Sequence, residues 1–388
     1  MPEREQRVTP LELFFDLVFV YAITQVTTLM SGELTWPGIG HGLLVLAAMW
    51  WAWTGYAWLT NALEPEDGMA RAGIFAGMAA MLVAALAVPS AFGAEAAVFG
   101  AAYLVVRMVN LLLYGVAGKR DREFGRAIVR FAPTGAVGPL LILVAGYVDD
   151  GPRLALWLIA IAVLYAGPLI DGGVSWNISA AHFAERYGLI VIIALGESIV
   201  AIGIATAGIE LTPGVIAASV LGLAVIAALW WAYFDVFAVL GAQQLARTSG
   251  RSRARLARDN YAYLHLPMIA GIVLFALGLK ITIHDVHATL DVIPAFALCG
   301  GLSLFFSTHV VMRFRIVYIV RHTTDDRPGW IGPGRLAAAV ATLASIPAAL
   351  ALPSLMALAL LTTVCWVLIA WDLMHYREHR GQVREARP

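Results

Sequence analysis

The sequence predicts an all-α integral membrane protein of about twelve transmembrane helices, arranged as two parallel six-helix repeats. Three observations predict it. Apolar runs of membrane length recur from end to end, basic residues gather in alternate connections, and short motifs of the first half return in the second. The 388 residues are 60% hydrophobic and 13% charged, with a mean hydropathy of +0.78. A soluble domain carries about 25% charged residues. No soluble domain of useful size fits between the runs.

The runs lie at 11–30, 38–60, 70–89, 94–116, 127–148, 153–171, 187–207, 214–240, 261–283, 291–316, 335–352 and 354–374. Each is near the ~20 residues that cross a bilayer as a helix. The first is too long for the apolar core of a cleavable signal, holds acids and lacks a small-residue cleavage site, so it is expected to remain as the first span. The last two meet at Leu352-Pro353-Ser354. Connections after spans four, eight, ten and twelve are basic, at 119–126, 247–258, 313–335 and the tail from His375. Those after odd-numbered spans are short and neutral or acidic, as at Asp149-Asp150 and Asp285. Positively charged connections stay inside, which places both termini in the cytoplasm.

Four matches in the same order support the repeat. Trp50-Trp51-Ala52-Trp53 in span two reads like Trp230-Trp231-Ala232-Tyr233 in span eight. Glu12 with Thr24-Gln25 in span one matches Glu185 with Glu197-Ser198 in span seven, Arg107 in span four corresponds to Arg313 in span ten, and the end of span six at Asp171 resembles that of span twelve at Asp372. The halves are 1–175 and 176–388, the second carrying basic cytoplasmic loops and the tail. Repeats of six spans are parallel, and a transport site is expected at their interface.

Charge within a span is costly and marks a bundle interior, a partner or a water-filled path. Glu12 and Asp16 stand at i and i+4, so they point the same way and repel unless paired or protonated. Glu12 and Glu185 fall near the inner boundary, on a layer with Arg107, Asn110, His309 and Arg313. Pairing Glu12 and Asp16 with Arg107, and Glu185 with Arg313 or Arg186, would offset their desolvation, and the same residues read as structural ion pairs locking helices together. Glu197 lies about 18 Å beyond Glu185 along the helix, near mid-membrane, between Gly196 and Ser198 and with no evident cation at its depth. It reads as a proton or cation site, or as a neutral carboxyl bonded across a helix interface. Thr24 and Gln25 hold the same depth in span one.

His182 precedes span seven and reads as a cytoplasmic-end gate, a proton relay or an interfacial anchor, rather than a metal ligand. Asp235 can join the polar layer from span eight, and His265 and Lys280 read as snorkelling side chains of span nine. His284, Asp285 and His287 form a solvated outer-loop cluster. Cys299 and Cys365 sit in separate runs and imply neither a disulfide nor a metal cluster. No metal and no cofactor are expected. Phosphate-loop, nucleophile-elbow and zinc motifs are missing, and Arg251–Arg258 reads as a loop contacting anionic lipid, which argues against nucleic acid.

At Leu11-ELFFDLVFVYAITQ-Val26 and His182-FAERYGLIVIIALGES-Ile199 the chain resembles the bacterial low temperature requirement A family of multi-pass membrane proteins, over nearly its whole length. The resemblance implies a bacterial integral membrane protein and no substrate. Phe14-Phe15-Asp16 is also similar to the first-helix Phe-Ser-Asp motif of lysosomal-type potassium channels, with Phe15 in place of the serine.

The expected function is a secondary transporter or permease of the inner membrane for a small solute or ion, proton-coupled, with membrane lipid as its surroundings. A homo-oligomer is compatible with such a chain. The alternatives are a cation channel and an intramembrane lipid-handling enzyme, and an enzymatic role is the lesser reading.

Overall fold

A computed structural model describes residues 8–63, 68–119, 122–170, 178–323 and 333–375. Twelve of its helices are long and apolar enough to cross a membrane. They are α1 (Pro10–Gly32), α2 (Trp36–Ala62), α3 (Gly68–Ser90), α4 (Ala96–Gly118), α5 (Phe124–Ala145), α6 (Asp150–Leu169), α7 (Ala180–Thr206), α8 (Pro213–Arg247), α9 (Gly250–His284), α10 (Val292–Ile316), α11 (Pro333–Ala351) and α12 (Ser354–Met374). The described residues form helices and turns, with a single isolated bridge between Thr289 and Pro353.

The expected spans and the observed ones agree in number and order, and they differ by more than three residues at three ends. α7 begins at Ala180 rather than 187, so His182, Glu185 and Arg186 are helical. The basic stretch 247–258, expected as a loop, is helical apart from Thr248 and Ser249. Three spans also contain a wide helical turn, at Tyr233–Phe237, Ala257–Tyr263 and Phe296–Gly300. Such i→i+5 turns insert a residue without a change in hydropathy, so apolar runs carry no sign of them. The expected boundary at 175/176, the Asp171 match and most of the basic tail lie outside the described residues.

The chain forms two compact units, Met1–Tyr187 with Thr248–Arg258, and Gly188–Arg247 with Asp259–Pro388. In the first, α2 runs through the core, with Val45, Ala48, Trp50, Ala52, Trp53 and Ala57 inaccessible. Gly100 lets α4 approach α5 closely, since a Cβ there would stand 2.5 Å from Leu143 Cα. Arg153 binds the turns together: its Nε and Nη2 donate to the carbonyls of Ala145 (3.2 Å) and Val148 (2.9 Å), and its Nη1 to that of Phe92.

In the second unit α9 takes the central place. Gly271 meets Gly301 and Gly278 meets Leu298, with Cβ positions 2.6 Å from backbone atoms of α10, so both contacts require glycine. Its buried polar groups are mostly neutral. Tyr233 Oη lies 2.9 Å from His265 Nε2, and His265 Nδ1 2.8 Å from the Asn260 carbonyl. His265 is therefore an internal hydrogen-bonding residue and does not snorkel. Arg335 pairs with Asp372 at 2.7 Å and donates to the Ala232 carbonyl at 2.8 Å. In both units large apolar side chains such as Leu112, Val129, Val220 and Val367 point outward, as helices in contact with lipid require.

Candidate functional site

The N-terminal turn of α1 fixes the first carboxylate. Thr9 is the N-cap and Pro10 follows it, with φ already suited to a helix. A capping box forms: Glu12 N donates to Thr9 Oγ1 at 3.4 Å, and Thr9 N donates to Glu12 Oε2 at 2.8 Å. The Glu12 carboxylate also meets His182 Nε2 at 3.0 and 3.1 Å through its two oxygens, and Arg186 Nη1 at 3.4 Å. One turn on, Asp16 Oδ1 accepts from Arg186 Nη2 at 3.0 Å and from Trp53 Nε1 at 2.8 Å. Two i,i+4 pairs thus face each other in register, Glu12 with His182 and Asp16 with Arg186.

All four groups are sealed from solvent, between 1% and 2% exposed. Aromatic rings of Trp50, Trp53, Phe183 and Tyr187 pack around them, and the Arg186 guanidinium lies 5.7 Å from the Trp53 ring centroid. Such surroundings strengthen each ion pair and penalise any unmatched charge. One arginine and one histidine face two carboxylates, so charge balances when the imidazole holds a proton. Among the described residues, Asp16 Oδ2, His182 Nδ1 and Arg186 Nε have no hydrogen-bond partner. The site is well held on one side and has unfilled hydrogen-bonding capacity on the other.

Two expected pairings are corrected. Arg107 does not meet the α1 acids. It is fully buried on α4, with Nη1 3.3 Å from Asn110 Oδ1 and 3.5 Å from the Trp51 carbonyl. Glu185 does not pair with Arg186, which is committed to α1. It is exposed on α7 and accepts from Val8 N at 3.3 Å. The correspondence of Glu12 with Glu185 therefore does not extend to burial, nor does that of buried Arg107 with half-buried Arg313. Residue depth was readable along each helix, but rotation about the helix axis was not, and rotation decides which cation an acid meets.

Within the second unit, Glu197 and Ser198 are buried on α7. Asp235 is half-buried in the wide turn of α8, and His309 is buried with Nδ1 2.9 Å from the Phe305 carbonyl. In the first unit Thr24 is half-buried, its hydroxyl donating to the Val20 carbonyl at 3.3 Å, and Gln25 is half-buried. His182, placed before the helix by the sequence, is inside it and contributes directly to the α1 cluster. In the turn after α9, the N–H groups of Ala288 and His287 hold the Asp285 carboxyl below the usual carboxylate range. Sequence reasoning missed Trp53 as a site residue. Its signal was an indole N–H in the middle of an apolar span, which needs an acceptor.

The family described as bacterial low temperature requirement A protein (LtrA) matches residues 7–370. An uncharacterized protein of Rhizobium meliloti (strain 1021) is 30% identical over 315 residues, which cover 78% of this chain and 76% of that protein. No solved structure matches. The two motifs that build the cluster, around Glu12–Asp16 and His182–Arg186, both lie within the matched residues.

Proposed function

From the premise that the chain belongs to the bacterial low temperature requirement A family, a family of multi-pass membrane proteins, we propose a proton-coupled secondary transporter or permease for a small solute or ion. Its location is the inner membrane, with both termini in the cytoplasm, as the basic connections after spans four, eight, ten and twelve favour. One observation carries the reading. Asp16 is a buried carboxylate inside a span, with Oδ1 held by Arg186 and Trp53 and Oδ2 without a partner among the described residues.

Intramembrane carboxylates of this kind mark ion and proton paths. A proton or cation taken up at Oδ2 weakens the Asp16 bond to Arg186 and shifts the charge balance of the four-residue cluster. That loosens α1 from the first turns of α7, a local two-state event of the sort alternating access needs. Glu197, buried on α7 within the second unit, is a second acid able to take up a proton or cation. The sequence correspondences between Trp53 and Tyr233 and between spans one and seven support a repeat architecture around it.

The test uses full-length protein in liposomes loaded with a pH-sensitive dye, challenged with an acid pulse and then with sodium, potassium and neutral amino acids in turn. Wild type is expected to move protons when one of these solutes is supplied. Asp16→Asn and Glu197→Gln are expected to abolish that movement while eluting as folded protein. Wild-type flux in both variants removes the acids from the mechanism. Unitary currents in a planar bilayer would replace the transporter with a channel.

A further inference from the structure

We propose that Arg107 and Asn110 form a binding site for a small carboxylate anion inside the first unit. Arg107 is 0% exposed, and so is Asn110. Among the described residues no acidic side chain reaches the guanidinium, because Glu12 and Asp16 are engaged by His182 and Arg186. Its protein contacts are the Asn110 amide oxygen and the Trp51 carbonyl, both on Nη1. A buried charge without a counter-charge is strongly unfavourable, so an anion from outside the chain is the natural complement.

The unfilled donors specify the shape of that anion. Arg107 Nε and Nη2 and Asn110 Nδ2 have no acceptor. Nε and Nη2 are the two donors on one edge of the guanidinium, and they present parallel N–H bonds at the spacing of two carboxylate oxygens. A spherical halide satisfies the charge but offers the two parallel donors one shared acceptor, where a carboxylate offers each its own oxygen.

Glycines of two helices stand beside the guanidinium. A Cβ at Gly55 would stand 2.5 Å from Nη1 and 2.8 Å from Asn110 Oδ1, so a larger residue there would push on the Arg107–Asn110 pair. Tyr114 Oη donates to the Gly55 carbonyl at 2.8 Å, which turns that acceptor to the tyrosine. On α5, Gly135 lies beside Nη2, where a Cβ would be 3.6 Å away. Pro133 and Pro139 flank it and remove two backbone hydrogen bonds from those turns. That stretch of α5 is where the helix can yield to admit a ligand.

This inference rests on the transporter reading for its physiological meaning, since it names the solute class, but binding alone tests it. Purified full-length protein in detergent is titrated with sodium acetate, and with sodium chloride at matched ionic strength, while thermal unfolding and tryptophan fluorescence are followed. Acetate is expected to raise the unfolding midpoint saturably in wild type. Arg107→Lys, which keeps the charge and loses the fork, and Asn110→Ala are each expected to weaken the response about tenfold, the worth of one hydrogen bond to a charged group.

An equal response to chloride, an acetate response unchanged in both variants, or no saturable response in wild type overturns the assignment. If Arg107→Lys fails to fold, Asn110→Ala decides alone. Acetate binding with no solute-driven proton flux in the liposome assay leaves the site standing and removes the transporter reading. Flux of another solute with no acetate binding does the reverse.

Discussion

Two arginines of the first unit, Arg186 and Arg107, are equally hidden from solvent and oppositely provided for. Arg186, on the second turn of α7, has Asp16 at 3.0 Å and Glu12 at 3.4 Å, with the Trp53 ring beneath it. Arg107, on α4, has an amide oxygen, a carbonyl and no carboxylate. The same desolvation cost is offset in one place by carboxylates the fold brings together and in the other by two neutral acceptors on one nitrogen. Burial of a charge is therefore not enough to assign it a structural role, and its partners decide.

The contrast can be broken by substitution. Arg186→Gln leaves two buried carboxylates against one histidine, and the loss expected is about 3–5 kcal/mol, read as a large fall in unfolding midpoint or failure to accumulate in the membrane. Arg107→Met in buffer free of small carboxylates is expected to cost less than about 1 kcal/mol or to stabilise, because it removes a buried charge that no acidic side chain among the described residues balances. Equal losses in the two variants would make the arginines alike and defeat the comparison.

Trp53→Phe keeps the aromatic wall and removes the N–H that holds Asp16 Oδ1. A hydrogen bond to a charged group is worth about 1.5–3 kcal/mol, so denaturant unfolding of this variant should show a loss in that range. Thr9→Ala removes the cap that orients Glu12, with about 1 kcal/mol expected. The same assay checks it, and it should also loosen the Glu12–His182 contact, visible as faster hydrogen exchange at the start of α1.

Much of this architecture was legible in the sequence. Membrane-length apolar runs give the number and order of the helices because the bilayer fixes their length and leaves backbone groups no partner but each other. Glu12, Asp16, His182 and Arg186 all stood out as polar residues in or beside spans. Their pairing did not, because the position of a charge along a helix does not give the rotation of that helix, which decides the cation each acid meets. The start of α7 was misplaced for a related reason: His182, Glu185 and Arg186 make the turn look like a loop, although two of the three are cancelled inside the bundle. The wide turns at Tyr233–Phe237 and Phe296–Gly300 left no trace in composition. The open edge of Arg107 could not be read at all without knowing where the acids had gone.

A structure of the full-length protein in lipid nanodiscs, determined in acetate-containing buffer, tests the difference between the two arginines most directly. The account predicts non-protein density bridging Arg107 Nε and Nη2 and within reach of Asn110 Nδ2, with Arg186 bound to Glu12 and Asp16 as described. An acidic side chain of the protein seated against Arg107, or an empty fork turned onto a backbone carbonyl, would contradict it.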